Sequence, residues 1–111
     1  MRLWPVAIAA IAVFVFACDR KVAGGAADGP AIYAEVCARC HGSAGVPPRD
    51  LAARLGVRDL SDAEFQTGLS DAELRSRIRN GSPAKAMPAF QGALTEEQIA
   101  AVARFIRTLA R

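Results

Sequence analysis

The 111-residue chain contains a single histidine, three cysteines and only 6% aromatic residues, among them one tryptophan and one tyrosine. These shortages exclude several functions. A structural zinc site needs a second pair of ligands, and beyond Cys37, Cys40 and His41 the chain has no further histidine and no second cysteine pair. No run alternates with period two over the length of a strand. A sheet is therefore not expected, nor the βαβ context in which Cys37 and Cys40 would read as a thioredoxin-like dithiol. No apolar stretch reaches the roughly twenty residues of a membrane span. Charge is also close to balance, at a formal +3. At this length one small domain is expected.

The longest apolar run, Leu3 to Ala17, is broken only by Pro5 and preceded by Arg2. It suits the apolar centre of a secretory signal, so residues 1–17 are read as a signal peptide. Its end, Val15-Phe16-Ala17-Cys18, resembles a bacterial lipobox, in which Cys18 is lipidated on sulfur and begins the mature chain. An ordinary signal, or an uncleaved anchor with Cys18 as bystander, is the alternative. The odd cysteine count favours lipidation, because a spare thiol would otherwise stand in an oxidising compartment. Loss of Arg2 lowers the net charge to +2, so the charge does not argue for nucleic acid, and none is expected as a partner. Asp19 to Gly29, polar and rich in glycine and alanine, reads as a flexible tether with a reach of roughly 18 Å.

Cys37-Ala38-Arg39-Cys40-His41 is the stretch that carries chemistry. Two thiols three residues apart on a helical turn can reach two vinyl groups on one edge of a porphyrin. The histidine directly behind is then carried under the ring, where an imidazole nitrogen can ligate iron. The chain holds one such motif, so a two-haem peroxidase is excluded.

The domain is expected over residues 30–111 as an all-α fold. Pro30 suits the first turn of a helix, with Ile32, Tyr33 and Val36 as its apolar stripe. Gly42 to Pro48 is rich in turn formers. Ser61-Asp62-Ala63-Glu64, Ser70-Asp71-Ala72-Glu73 and Thr95-Glu96-Glu97-Gln98 each have the form of a capping box. The second opens a helix carrying Leu74 and Ile78 that stops at Asn80-Gly81. The third opens a helix with Leu94 stapled to Ile99 and an apolar face of Ile99, Val102, Ala103, Ile106 and Leu109. A chain of this size has a thin core, which a buried macrocycle would supplement.

Met87, in Lys85-Ala86-Met87-Pro88, is the only methionine left once the signal is removed. A lone methionine is usually a core filler. This one lies between a helix stop and a helix start, in a loop stiffened by Ser82-Pro83 and Met87-Pro88, where its thioether could face iron. Such His/Met ligation raises the reduction potential and leaves no open iron position.

With these features together, residues 29–111 resemble the small class I cytochromes c. The resemblance rests on Gly29 and Tyr33, the Cys37-Cys40-His41 motif, the Met87-Pro88 loop and a final helix bearing Phe105. It implies one covalent haem c with iron, held by Cys37 and Cys40 and ligated by His41 and Met87. First and last helices should cross, with Gly29, Tyr33, Val102 and Phe105 at the contact. A proline carbonyl, from Pro47 or Pro48, should accept the His41 ring N–H. The only tryptophan, Trp4, lies in the signal, so Arg49, Arg54 or Arg58 are the candidates to meet a haem propionate; each is otherwise a solvated surface charge. Arg75, Arg77, Arg79 and Lys85 could steer an acidic redox partner, but a wet helix face shared with Asp71 and Glu73 is the favoured reading.

The function implied is one-electron transfer, with no catalysis and no small-molecule substrate. Donors and acceptors would be redox proteins, expected to be membrane complexes, reached from the periplasmic side of the bacterial inner membrane through a Cys18 anchor. A soluble periplasmic form is the alternative location. A dedicated electron-transfer subunit of one membrane enzyme, and a haem-based ligand sensor, are the competing functions.

Overall fold

The computed structural model describes residues 20–83 and 86–111, together with residue 12. The expected signal peptide apart from residue 12, Cys18 and Lys85 lie outside the described residues. Among the described residues the chain is helical, with no strand. The first helix, α1, runs without a break through three segments: Gly29–Ile32, a wider π-type turn at Tyr33–Cys37, and Ala38–His41. Asp28 caps it, its carboxylate accepting the Ala31 N–H at 3.2 Å, and Pro30 sits in the first turn, where a missing N–H costs nothing. Helices α2 (Arg49–Leu55), α3 (Ala63–Gly68), α4 (Asp71–Asn80) and α5 (Glu96–Arg107) complete the fold.

Two of the three expected capping boxes form. Ser70 with Glu73 opens α4, and Thr95 with Gln98 opens α5, each satisfying two backbone donors reciprocally. The one expected at Ser61 does not. Asp62 caps α3 instead, accepting the Phe65 N–H at 3.2 Å, while Ser61 is turned inward and buried. Its hydroxyl is already taken by Asp59. Helix α2 has no side-chain cap at Pro48, ends on a left-handed Gly56, and buries none of its residues.

The core forms where α1 crosses α5 and α4 packs beside it. Ile32, Ile99 and Val102 are fully buried there, with Tyr33, Leu74, Ile78, Leu94 and Ile106 around them. Gly29 is required at the crossing: a Cβ there would lie 2.5 Å from the Ala101 carbonyl oxygen and 3.0 Å from Phe105 Cβ. The close approach lets the Tyr33 and Phe105 rings meet at 5.3 Å between centroids, tilted by 59°, an edge-type pairing worth about 1 kcal/mol beyond its burial. The expected helix crossing is thus present, on the expected residues.

Residues 22–26, part of the segment read as a flexible tether, lie against the domain. Val22–Gly25 form a short 3₁₀ turn. Buried Gln98 donates from Nε2 to the carbonyls of Val22 (3.0 Å) and Ala26 (3.1 Å), and Glu35 accepts the Ala23 N–H at 2.7 Å. Gln98 Oε1 meanwhile accepts from Thr95, so a buried amide has every polar atom satisfied. No helix among the described residues is long and apolar enough to cross a membrane.

Candidate haem site

The π-type turn sets the geometry of the cysteine motif. The Ala38 N–H bonds the Tyr33 carbonyl, five residues back, instead of reaching four. One extra residue in a turn rotates the C-terminal part of the helix by about 100° relative to the N-terminal part. Tyr33 can therefore face Phe105 while Cys37, Cys40 and His41 project from a differently aimed turn. The same Tyr33 reaches forward: its hydroxyl donates to the Gly42 carbonyl at 2.6 Å, directly behind His41. Burial above all, with Cys37 alongside, pushes the Tyr33 phenol up to about 12, so it stays a donor at ordinary pH.

Cys37 is half-buried against the core and Cys40 is exposed; neither is in a disulfide. Burial raises the Cys37 thiol to about 11. His41 is half-buried, and its Nδ1 lies 3.0 Å from the Arg58 carbonyl oxygen. A carbonyl can only accept, so this bond puts the neutral ring's proton on Nδ1 and leaves the Nε2 lone pair unprotonated. Burial also lowers the His41 pKa, against the opposing pull of that carbonyl, favouring the neutral ring.

The carbonyl comes from Arg58 and not from the expected Pro47 or Pro48. Segment 58–61 returns to the motif because Leu60 N–H bonds the Gly45 carbonyl at 2.8 Å. The Asp59 carboxylate then accepts the Ser61 N–H (2.9 Å), the Ser61 hydroxyl (2.5 Å) and Arg111 Nη2 (2.8 Å). The Ser61 hydroxyl, first among these, holds the Asp59 carboxyl below its ordinary range. No sequence signal marks a backbone acceptor, and the sequence points to Arg58 only through its charge.

Met87 is half-buried and packs against the same core as Cys37. Its backbone is bound at both ends by one residue: Met87 N–H donates to Ser82 Oγ at 3.2 Å, and Ser82 N–H donates to the Met87 carbonyl at 3.1 Å. Gly81 makes this possible. Its φ of 76° and ψ of −174° belong to a region open almost only to glycine, and a Cβ would fall 2.5 Å from the Met87 carbonyl oxygen. The far end of the loop is tied to α4 by Phe90 N–H to Ile78 O and Gln91 N–H to Arg79 O, both 3.1 Å.

The arginines divide. Arg54 pairs with Asp50, and Arg58 stands 5.8 Å over the Phe65 ring, so of the three propionate candidates only Arg49 has no such partner among the described residues. Arg79 makes a two-pronged bond to Glu96, at 2.8 and 2.6 Å, and Asp71 pairs with Arg107. Asp71, Glu73 and Arg77 stand exposed on α4, while these two ion pairs join α4 to α5. Arg77 lines a cleft of about 440 Å³ beside the methionine loop, with Glu73, Asn80 and Ser82.

The donor set fits an iron porphyrin bound through sulfur. Both thiols are free, one imidazole nitrogen is unprotonated and oriented from behind, and a soft thioether stands in a stiffened loop. Among the described residues no group of three His, Cys, Asp or Glu side chains converges as a protein-only metal site.

Comparison with known proteins points the same way. The family described as "Cytochrome C oxidase, cbb3-type, subunit III" matches residues 24–106. The cbb3-type cytochrome c oxidase subunit FixP of Bradyrhizobium diazoefficiens is 33% identical over 84 residues, which is 76% of this chain and 27% of FixP. The chain thus spans about a quarter of that curated relative. Among solved structures, the KustC0563 c-type cytochrome superposes with a TM-score of 0.69 at 36% identity, covering 76% of this chain and 99% of that one. A point mutant of the same cytochrome gives 0.66 at 35%, covering 74% and 98%. With a match running from residue 24 to residue 106, the chain belongs to the cbb3-type subunit III family of cytochromes c, and its cofactor is that of the family, a covalently bound iron haem c.

Proposed function

We propose that the chain is a one-electron carrier whose haem is attached through Cys37 and Cys40 and ligated by His41 and Met87. Cys37 and Cys40 would hold the ring as thioethers, a net addition of each S–H across a vinyl double bond that would need no oxidant. When bound, the haem iron supplies the Fe(III)/Fe(II) couple. His41 presents Nε2 while Arg58 holds Nδ1–H. Met87 offers a sulfur that favours the reduced state, from a loop with little freedom to lose. With His41 and Met87 both holding the iron, no position would remain for a substrate, which would separate a carrier from a catalyst or a gas sensor. The observation that carries this reading is the fixed His41 tautomer directly behind two free thiols.

We further propose export through residues 1–17, acylation at Cys18 and residence on the periplasmic side of the inner membrane. Similarity to an oxidase subunit supports redox proteins of a membrane complex as donor and acceptor. It also gives weight to the reading as a dedicated subunit of one complex rather than a free shuttle. Co-purification with a membrane enzyme separates these two.

The deciding test is the visible spectrum of the reduced, matured protein before and after carbon monoxide. A low-spin spectrum unmoved by carbon monoxide supports ligation by both His41 and Met87. A rapid conversion to the carbonyl form removes Met87 from the assignment, and a protein without haem absorbance sinks the reading whole.

A further inference from the structure

The His41 ring is oriented by a backbone carbonyl, so whatever fixes that peptide also fixes the ring. The Arg58 carbonyl sits in the peptide leading into Asp59. A carbonyl on an irregular segment turns freely unless its neighbours are anchored. Here the Asp59 side chain supplies one set of anchors and the Leu60 backbone another. Asp59 Oδ1 takes the Ser61 N–H two residues on, at 2.9 Å, which closes an Asx turn and limits rotation around Asp59. The same oxygen takes the Ser61 hydroxyl at 2.5 Å, and Ser61 is 1% exposed, so that anchor is set in the core. Oδ2 takes Arg111 at 2.8 Å, and the Arg111 N–H bonds the Ser61 carbonyl at 3.0 Å, so the segment beyond α5 holds this turn from both sides. Leu60 is pinned through its N–H to Gly45 and through its carbonyl to Gln66 Nε2 at 2.6 Å.

We propose that Asp59 is a positioning residue for His41: its carboxylate, locked to Ser61 and Arg111, holds the Arg58 carbonyl on the His41 Nδ1–H and thereby tunes the basicity of the iron-ligating imidazole. The inference rests on the haem reading above. A firm bond at Nδ1–H makes the ring a stronger donor at Nε2, which stabilises Fe(III) more than Fe(II). Loosening the carbonyl raises the reduction potential. Losing about two-thirds of a typical net hydrogen bond corresponds to a ~threefold fall in the oxidised-to-reduced ratio at fixed applied potential.

The test uses the whole chain, matured with haem, as wild type, Asp59→Ala, Asp59→Asn and Ser61→Ala, with Ile99→Val as a core-trimmed control that loses stability while keeping every hydrogen bond of segment 58–61. Two quantities are read: the reduction potential, and the exchange of the His41 Nδ1 proton with solvent, followed by nuclear magnetic resonance in the reduced protein. Asp59→Ala is expected to speed exchange by about tenfold or more and to shift the redox ratio by ~threefold. Asp59→Asn keeps an acceptor for both Ser61 donors and should recover most of both effects. Ser61→Ala should give a smaller shift in the same direction and serves if Asp59→Ala does not load haem. Exchange and potential within twofold of wild type in both Asp59→Ala and Ser61→Ala overturn the proposal, as does an equal shift in Ile99→Val. A wild type that never acquires haem refutes the haem reading itself, a result distinct from either.

Discussion

The supports of His41 and Met87 differ in reach. His41 is held by partners far along the chain: the Arg58 carbonyl lies 17 residues on, and Asp59, which stabilises that segment, is tied to Arg111 another 52 residues away. From the other side, Tyr33 bonds the Gly42 carbonyl and rests on Phe105 of α5. Met87 depends on a residue five positions back, Ser82, and on the glycine next to it. Long-range contacts persist only while the helices stay assembled, whereas a loop closed on itself can open alone. The histidine side should therefore share the global stability of the domain, and the methionine side should have a lower, local stability of its own.

Gly29→Ala gives the largest expected effect on the first of these. Its Cβ meets a backbone oxygen on a rigid helix, so α1 and α5 must part, at a cost of about 2–3 kcal/mol. Chemical denaturation should show the midpoint falling, while carbon monoxide still fails to bind the folded fraction. A loss under ~0.5 kcal/mol would mean the crossing is looser than its geometry.

Gly81→Ala should do the reverse. The backbone conformation at Gly81 costs a non-glycine residue about 1–3 kcal/mol, and the added methyl presses on the Met87 carbonyl. That strain can be relieved by opening the loop, so the denaturation midpoint should move less than for Gly29→Ala. Carbon monoxide affinity should rise by about tenfold or more, the equivalent of ~1.4 kcal/mol taken from methionine ligation. Unchanged carbon monoxide affinity with a large midpoint loss would show the loop to be part of the global unit after all.

The same contrast explains what could be read from the sequence. The cysteine–histidine motif and two capping boxes are local patterns, each decided by residues within one or two turns, and they are legible in the sequence, whereas the crossing at Gly29 joins distant parts of the chain and enters only through the resemblance to the class I cytochromes c. The Ser61 cap failed because Asp59, two residues upstream, competes for the same hydroxyl and Asp62 is free to replace it. The Arg58 carbonyl was invisible because every residue carries one, and only the return of segment 58–61 through Leu60 and Gly45 selects it. Docking of residues 22–26 depends on Gln98, whose second role is hidden behind its place in a capping box.

Two deletions of one hydrogen bond each, one on either side, sharpen the comparison. Tyr33→Phe keeps the ring against Phe105 but leaves the Gly42 carbonyl unpaired by its hydroxyl, for a loss of about 1 kcal/mol at neutral pH. Tyr33 also has a pH signature. Its folded pKa, about 12, lies above the ordinary 10, so its contribution is complete below pH 10 and is lost as pH rises through 12. Two units amount to about 2–3 kcal/mol, and the loss should be missing from denaturation curves of Tyr33→Phe across that window. The burial that causes most of the shift remains when Cys37 is a thioether. Ser82→Ala is the smallest change. It removes the acceptor for Met87 N–H but leaves the bond from Ser82 N–H to the Met87 carbonyl, and Met87 is only half-buried, so water can take the vacated place. About 0.5 kcal/mol of loop closure should be lost, read as a roughly twofold gain in carbon monoxide affinity with no resolvable change in the denaturation midpoint. A midpoint that falls as far as in Tyr33→Phe would erase the distinction between the two sides, because it would place the Ser82 bond in the cooperative core with the Tyr33 bond.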